Sequence, residues 1–404
     1  MSATLAEALA RFGPGYLAAH GLSRAQAKAW RAIAACRTPA LGGQQFACDA
    51  CGSTQWRWHS CRSRHCPRCG KQAADAWRRA RLAELLAVPY AHLVFTLPHE
   101  LNALARRHPR WVYETLFACT AATLTEFAAN PRWLGGRPSF TLVLHTWTQD
   151  LRLHIHAHAL MACGALDAAG GWIAPRRTER FLFPVHALSR VFAGKFRAAL
   201  RAAERDGTLR DDPLPAAGER QRRLQRLTEK NWVVYAKTPL AGPAAVLDYL
   251  ARYTHRTAIG HERIVAVRDD GVRLRVRADR NGGKNAGKNA GKKTVRIDGA
   301  EFVGRFLQHV LPAGFKRIRH YGLLAPAHKT RCLSQARAAL AMPVPNPIAQ
   351  ETVAAFMRRV ARIEIERCPR CHGCWRPIAH AAALRPSLWP RAGRPTTAAQ
   401  PQAP

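Results

Sequence analysis

Residues 139–163 read SFTLVLHTWTQDLRLHIHAHALMAC, and this stretch decides the fold because it holds two strand-like runs. The runs 139–147 and 153–163 are rich in apolar, aromatic and β-branched residues, and a short polar turn around Gln149 and Asp150 separates them. Two such runs joined by a few polar residues predict a β-hairpin. We therefore expect an antiparallel sheet at the centre of the protein.

The second run of the hairpin alternates histidine with apolar residues. His154, His156 and His158 occupy every second position, so a strand places their imidazoles on one face and apolar side chains on the other. Neighbours on that face are about 6.8 Å apart, a gap that two imidazoles can close around one metal ion. Three imidazoles of one strand cannot easily reach a single ion, so the third ligand should come from a neighbour. His145 on the preceding strand is well placed, and Gln149 is an alternative.

Outside the hairpin, helical and strand-like segments mix without strict alternation, which is typical of an α+β fold. Strands are predicted at 89–97 and 232–237, and a helix at 101–129 that ends at Asn130-Pro131. We expect a helical lead-in with a cysteine-rich zinc-binding module (1–85), a central antiparallel-sheet domain with flanking helices (86–325), a helical C-terminal region with a cysteine cluster (326–385) and a disordered tail (386–404).

Cysteine and histidine crowd into residues 36–69. Cys48-x2-Cys51 and Cys66-x2-Cys69 are separated by 14 residues, and two such knuckles can present four thiolates to one tetrahedral zinc ion. This spacing predicts a structural Zn²⁺ site. A second site is possible from the remaining ligands of the segment, which are Cys36, Cys61, His59 and His65.

Two further groups of residues relate to these cysteines. Arg62, Arg64 and Arg68 are interleaved with the N-terminal cysteines and suit contacts to DNA phosphates or guanine. A second cluster near the C-terminus offers three thiols as zinc ligands. Its fourth ligand is either His372 or the distant Cys332. The three thiols are those of Cys368, Cys371 and Cys374.

The charge of the chain indicates a polyanionic partner. Lys and Arg number 63 against 26 Asp and Glu, which gives a formal net charge of +37. Like charges repel in a compact state, so nucleic acid is the economical explanation of the excess. The sequence has no run of about 18 apolar residues, which a membrane-spanning helix would need, and its first residues do not resemble a signal peptide. We expect a cytoplasmic, nucleoid-associated bacterial protein with no membrane partner, whose 12 cysteines bind metal rather than form disulfides.

A pair of tyrosines lies on a predicted helix downstream. Tyr249 and Tyr253 stand at i and i+4 within YLARYTHR, so both project from one face, one turn apart. Such pairs often pack in a core, but Arg252, His255 and Arg256 make these surroundings cationic. A phenol with a pKa near 10 is a weak nucleophile unless it is activated, and a divalent metal can instead activate a phosphoryl group.

Together these features resemble the rolling-circle insertion-sequence transposases of the two-tyrosine group, in the HUH (His-hydrophobic-His) endonuclease superfamily. The resemblance extends from about Cys36 to Leu324. Four ordered blocks carry it: CRSRHCPRC (61–69), LHTWTQDLRLHIHAHAL (144–160), WVVYAKTPLAGPAAVLDYLARYTHR (232–256) and FLQHVLPAGFKRIRHYGLLA (306–325). Two departures from the family pattern are Ile155, where Pro is usual, and Gly260-His261, where a Ser-Asn pair is frequent.

The resemblance implies a function for each block. It places the catalytic metal pair on His156 and His158, the nucleophiles on Tyr249 and Tyr253, and zinc on the cysteines of 36–69. It also implies an HUH endonuclease-like central domain. The expected DNA-contacting residues are Arg62, Arg64, Arg68, Arg252, Arg256, Lys316, Arg317 and Arg319.

The expected activity is cleavage and joining of single-stranded or unpaired element ends. Mg²⁺ or Mn²⁺ would polarise the scissile phosphate, and a tyrosine would form a 5′-phosphotyrosine link. A related replication initiator or relaxase shares the histidines and tyrosines, but the cysteine module and the C-terminal block favour a transposase. A zinc-stabilised DNA-binding protein without enzymatic activity is the other alternative, and a nicking assay separates it from an enzyme.

Overall fold

The computed structural model describes residues 3–175, 182–209, 222, 225–240, 246, 258–277, 291–346 and 351–384. In chain order, helices α1 to α9 are Leu5–Ala19, Arg24–Ala35, Gly70–Leu82, Asn102–Arg107, Pro109–Ala129, Val185–Arg205, Gly299–Leu307, Lys329–Ala339 and Val353–Phe356. Strands β1 to β12 are Gly43–Cys48, Thr54–Trp58, Tyr90–Thr96, Arg137–Trp147, Leu153–Leu166, Trp172–Ile173, Val234–Leu240, Ile264–Arg268, Gly271–Arg277, Lys292–Ile297, Ile318–Gly322 and Trp375–Ala381. The expected α+β class is confirmed.

The central sheet has the strand order β11-β4-β5-β3-β7, with the short β6 added to β5, and each pair is antiparallel. The predicted hairpin forms β4 and β5, and His145 lies directly opposite His156. In its turn, the backbone N–H of Thr148 donates to the carbonyl of Arg152 at 2.9 Å, and Leu151 has φ of +64°.

The two faces of β5 have different surroundings. Ile155, Ala157 and Ala159 lie in the main core, where α5 and α6 supply apolar side chains. The predicted helix 101–129 is interrupted there, because Pro109 begins α5 and its ring cannot continue α4. The opposite face of β5 carries the histidines and, further along, Leu160, which packs in a smaller core that includes α8 residues.

A separate core joins the N-terminal helices to a later part of the chain. Helix α1 begins with a capping box between Thr4 and Glu7, and it packs against α7 and the three-stranded sheet β8-β9-β10. The contact is close, because a Cβ at Gly299 would lie 2.0 Å from the ring of Phe12. The helical lead-in therefore packs on residues of the expected central domain.

The C-terminal region contributes a strand as well as helices. Strand β12 pairs with β1, so the third sheet has the order β12-β1-β2 and joins the N-terminal module to the C-terminal region. The predicted disordered tail (386–404) lies outside the described residues, which end at 384. No helix within the described ranges has the length and apolar character needed to cross a membrane.

Candidate functional site

Three histidines converge on the face of the hairpin that lies opposite the main core. One ring nitrogen from each of His145, His156 and His158 lies within 4.8 Å of the others, so the three can hold one metal ion. The ring centroids of His145 and His158 are 4.4 Å apart, and those of His156 and His158 are 4.9 Å apart. We call these three residues the histidine triad.

Hydrogen bonds orient the rings of the triad. The Nδ1 of His156 lies 2.9 Å from the carbonyl oxygen of His154. Because a carbonyl only accepts, Nδ1 must carry the proton, and the lone pair is on Nε2. Of the alternative third ligands, His154 lies outside the triad, and the side-chain oxygen of Gln149 accepts from the backbone N–H of Arg277 at 2.7 Å.

His92 is a neighbour of the triad that the sequence analysis missed. It lies on β3, and its Nε2 is 3.0 Å from Nδ1 of His158, with the two rings stacked. A second imidazole in this position fixes the ring orientation and tautomer of a ligand histidine. The missed signal was a single histidine within the apolar run of residues 89–97.

Burial keeps these imidazoles neutral. It lowers the pKa of His92 to about 3 and that of His156 to about 4, with the positive charge of Lys237 adding to the effect on His92. Burial also lowers the pKa of His158 well below its usual value. Neutral imidazole is the form that binds a metal ion, so no proton must leave these rings before binding near pH 7.

The triad opens onto a cavity of about 450 Å³, which we call the basic cleft. One wall is the β4–β5 hairpin, and the other is the β8-β9-β10 sheet. The charged side chains that line it, apart from the triad, are Glu262, Arg263, Arg275, Arg277 and Lys292. None of these four cations was predicted as a DNA contact, because only the folded sheet brings them to the histidines.

A second cavity, of about 400 Å³, lies between the hairpin and the N-terminal module. Trp147 lines both this cavity and the basic cleft, and Arg62 and Lys316 line this cavity only. Arg64 also lines it, and its guanidinium donates to the carbonyl of Phe315 at 2.5 Å, which ties the module to the residues before β11.

The remaining predicted DNA-contacting residues have intramolecular contacts. Arg68 donates to the carbonyl of Cys36 at 3.3 Å, and Arg319 forms an ion pair of 2.6 Å with Glu114. The guanidinium of Arg317 lies 5.9 Å from the ring centroid of Trp147, and burial lowers the pKa of Arg317 to about 10. These contacts give the three side chains structural partners, and a role at DNA stays a prediction.

His309 supports the hairpin beside the triad. Its Nε2 lies 3.0 Å from the carbonyl oxygen of Leu151, and its Nδ1 lies 3.0 Å from the hydroxyl of Thr146. The carbonyl must accept, so Nε2 donates to it and the hydroxyl donates to Nδ1. Burial lowers the pKa of His309 to about 4.

Acid should therefore weaken the fold through His309. Its folded-state pKa of about 4 lies below the usual 6.5, so the unfolded chain binds more protons as pH falls through that window. From pH 7 to pH 5, this side chain should cost about 2 kcal/mol of unfolding free energy. Urea titrations at the two pH values measure the loss of unfolding free energy. This loss should be about 2 kcal/mol smaller in His309→Gln than in the parental protein. His186→Gln is the control, because His186 is exposed, and it should show the same loss as the parental protein. Equal drops in all three proteins would contradict this role.

The cysteines form two clusters within the described residues. The N-terminal cysteine cluster consists of Cys36, Cys61, Cys66 and Cys69. Its Sγ atoms lie 3.4 Å apart for Cys36 and Cys69, and 3.6 Å apart for Cys61 and Cys69. A tetrahedral zinc site with Zn–S bonds of about 2.3 Å has sulfurs about 3.8 Å apart, so this cluster fits zinc.

The predicted grouping of Cys48 and Cys51 with Cys66 and Cys69 is wrong. Cys48 and Cys51 lie at the tip of the β1–β2 hairpin, whereas the N-terminal cysteine cluster lies at its base. Five residue steps along β1 separate tip from base by about 16 Å. The partners of Cys48 and Cys51 are Cys368 and Cys371, and we call these four the inter-terminal cysteine cluster.

The predicted ligands of the C-terminal site are also corrected. Cys374 and His372 lie outside the inter-terminal cysteine cluster, and Cys332 is a buried residue of α8 in the smaller core. The guanidinium of Arg367 instead donates to Cys374 Sγ at 3.3 Å.

The predicted nucleophiles Tyr249 and Tyr253, and also Arg252 and Arg256, lie outside the described residues. Described residues on either side of them do have defined positions. Val246 packs with Leu160 on the histidine-bearing side of the sheet. Ala258 lines the cavity next to Trp147, and Glu262 lines the basic cleft. Val246 and Glu262 thus lie on the side of the sheet that carries the triad.

Comparison with known proteins identifies the class. Residues 139–332 match a family described as "Putative transposase", and residues 8–97 match a family described as "Transposase zinc-binding domain" of the IS91 type. These matches cover the sheet with the triad and the module with the N-terminal cysteine cluster. The fold and the site therefore define a DNA transposase with a zinc-binding module.

Two relatives extend the match along the chain. One, named "Putative transposase y4qJ", from Sinorhizobium fredii, is 42% identical over 377 residues, covering 91% of this chain and 92% of the relative. The transposase for insertion sequence element IS801, from Pseudomonas savastanoi pv. phaseolicola, is 27% identical over 342 residues, covering 83% and 79%. The chain belongs to the IS91/IS801 family of rolling-circle insertion-sequence transposases. No solved structure matches it.

Proposed function

We propose that this transposase cleaves and joins single-stranded DNA at the ends of a mobile element, with Tyr249 and Tyr253 as its nucleophiles. The observation that carries the proposal is the histidine triad, which opens directly onto a cleft lined by four cationic side chains. Neutral nitrogen ligands beside such a cleft fit a metal ion that acts on a phosphodiester.

A divalent ion on the triad, Mg²⁺ or Mn²⁺, would polarise a phosphoryl oxygen of the scissile phosphate. Imidazole nitrogens favour Mn²⁺ over Mg²⁺, because Mg²⁺ prefers oxygen ligands. The triad itself supplies no carboxylate, and Glu262 is the one carboxylate among the described residues that line the cleft. We therefore expect Mn²⁺ to support more activity than Mg²⁺ at equal concentration.

The nucleophilic step transfers the DNA to a tyrosine. The phenolic oxygen of Tyr249 or Tyr253 loses its proton and bonds to phosphorus, while the bond from phosphorus to the 3′ oxygen breaks. The 3′ oxygen takes up a proton and leaves as a free hydroxyl, and the phosphate stays on tyrosine as a 5′-phosphotyrosine. A 3′-hydroxyl of another strand can reverse this attack, which joins strands without an external energy source.

The basic cleft is the proposed path of the DNA strand. Arg277 on β9 lies directly opposite Lys292 on β10, and both line the cleft. Like charges directly opposite each other destabilise a sheet, so a polyanion in the cleft would relieve their repulsion. Trp147 lines both the cleft and the second cavity, and its ring stacks on His145 with the ring centroids 4.7 Å apart.

Neutralising this pair should weaken DNA binding in a salt-dependent way. In the double variant Arg277→Gln/Lys292→Gln, the slope of log affinity against log salt for single-stranded DNA should fall by about 1.4, because each phosphate contact contributes about 0.7. Fluorescence anisotropy at several salt concentrations measures the slope. Arg268→Gln is the control, since Arg268 is exposed on the same sheet and outside the cleft. An unchanged slope in the double variant would place the DNA elsewhere.

Strand cleavage tests the proposed function itself. Labelled single strands tiled across the DNA that flanks the gene should be cut in the presence of Mn²⁺ and remain intact with EDTA. A non-enzymatic DNA-binding protein would retard these strands and leave them whole under both conditions. A replication initiator or relaxase would nick equally well, but membership of the transposase family favours element ends as the substrate.

A further inference from the structure

We infer that the inter-terminal cysteine cluster is a second structural zinc site, which fastens the C-terminal strand β12 to the N-terminal module. The matched zinc-binding domain spans residues 8–97 and so includes Cys48 and Cys51 but neither of their partners, Cys368 and Cys371. The inferred site draws two ligands from the N-terminal module and two from the C-terminal region.

The sulfur positions fit one tetrahedral ion. Sγ of Cys48 lies 3.4 Å from that of Cys371, and Sγ of Cys51 lies 3.8 Å from that of Cys368. All four sulfurs lie within 4.8 Å of one another. The edges of a zinc–thiolate tetrahedron are about 3.8 Å, whereas a disulfide requires about 2.05 Å.

Each cysteine pair lies on a tight turn. In one turn the backbone N–H of Gly52 donates to the carbonyl of Cys48 at 3.1 Å, and in the other the N–H of His372 donates to that of Cys368 at 2.9 Å. A Cβ at Gly373 would lie 2.8 Å from Sγ of Cys48, so only glycine allows the turns to approach this closely. The two turns are therefore shaped to face each other across an ion.

Apolar burial contributes little to holding β12 in place, because five of its seven side chains are exposed. Its backbone pairs with β1, Arg376 forms an ion pair of 3.6 Å with Asp49, and the guanidinium of Arg57 lies 5.7 Å from the ring centroid of Trp375. Pairing Cys48 with Cys371 also closes a loop of more than 300 residues, which costs conformational entropy. A four-thiolate zinc ion would add to these surface contacts, because its binding energy contributes directly to the stability of the structure it joins.

The first test uses the unmodified, zinc-loaded chain. Cys51, Cys371 and Cys374 are all exposed, but only Cys374 lies outside the inter-terminal cysteine cluster. Brief alkylation with N-ethylmaleimide followed by peptide mass spectrometry should show Cys374 reacting at least ten-fold faster than the other two. After a zinc chelator is added, Cys51 and Cys371 should react at a rate comparable to that of Cys374. Equal rates for all three cysteines before chelation would overturn the inference.

The second test counts zinc in the full chain. All variants carry His156→Ala and His158→Ala, so the triad does not contribute metal. Cys368→Ser/Cys371→Ser should lose one zinc equivalent, and Cys48→Ser/Cys51→Ser should lose the same one. The variant in which all four of these cysteines are replaced should lose no more than one zinc equivalent, and Cys374→Ser should lose none. Full zinc content in Cys368→Ser/Cys371→Ser would overturn the site.

A third readout tests whether the ion fastens the strand. Amide hydrogen exchange in β12 should become at least ten-fold faster in Cys368→Ser/Cys371→Ser, while exchange in the central sheet stays unchanged. Loss of zinc with unchanged exchange in β12 would overturn the fastening role, and unfolding of the central sheet would show instead that the ion stabilises the whole chain. The alkylation result on the unmodified chain decides the site even if the variants fail to fold.

Discussion

Replacing both Tyr249 and Tyr253 with phenylalanine is expected to abolish the covalent protein–DNA adduct and transposition. The substitution keeps each aromatic ring and removes only the hydroxyl that would bond to phosphorus. The tyrosines lie one helical turn apart in the predicted helix, about 6 Å at the Cβ level, so both can approach the same phosphate. Denaturing gels with labelled single-stranded DNA measure the adduct, and a plasmid-based mobility assay measures transposition.

Each single substitution should leave some cleavage and impair complete strand transfer, because the second tyrosine allows another cleavage while the first link persists. Tyr235→Phe is the matched control, since Tyr235 lies on β7 with half of its side chain exposed. If Tyr249→Phe or Tyr253→Phe transposed at the parental rate, that tyrosine would be a packing residue and the two-nucleophile account would fail.

Replacing His156 or His158 with alanine should reduce cleavage at least a hundred-fold while single-stranded DNA binding persists. Loss of one of three ligands removes the metal ion that polarises the phosphate, whereas cationic contacts to the backbone supply most of the affinity. Cleavage rates in Mn²⁺ and anisotropy in the same buffer measure the two effects separately.

His154→Ala is the matched control for these variants, because His154 lies on the same face of β5 but outside the triad. It should cleave within a few-fold of the parental rate. Loss of DNA binding and folding together with cleavage would make His156 and His158 structural. Normal cleavage by His145→Ala would mean that Gln149 or His154, rather than His145, supplies the third ligand.

His92→Gln should weaken Mn²⁺ binding by about 10- to 100-fold, as expected for a residue that orients a ligand.

Local patterns predicted the hairpin because its information is contained within 25 adjacent residues. Because histidine and apolar residues alternate on β5, His156 and His158 lie on the same face of the strand. The short turn pairs β5 with β4, which places His145 beside them. These features depend on strand geometry alone, so the sequence was sufficient for them.

Contacts between distant segments were not predictable in the same way. Spacing shows that Cys48 and Cys51 form a knuckle, but it cannot say which second knuckle completes the site, and the structure pairs them with Cys368 and Cys371. Strand β12 was missed for the same reason, since its partner β1 lies more than 300 residues away.

The second wall of the basic cleft could also not be predicted from the sequence. Arg275 and Arg277 alternate with apolar residues as on any solvent-facing strand, and only tertiary packing brings them to the histidine triad. His92 is a further example, because β3 must first pair with β5 before its ring reaches His158.

The most direct test of the central claim is to map the covalent link. The full chain is incubated with Mn²⁺ and labelled single strands tiled across the DNA that flanks its gene, and the adduct is digested and sequenced by mass spectrometry. The account predicts a nucleotide attached through a 5′-phosphate to the peptide containing Tyr249 or Tyr253, and no adduct with EDTA. Cleavage without a covalent intermediate, or a nucleotide on any other residue, would contradict it.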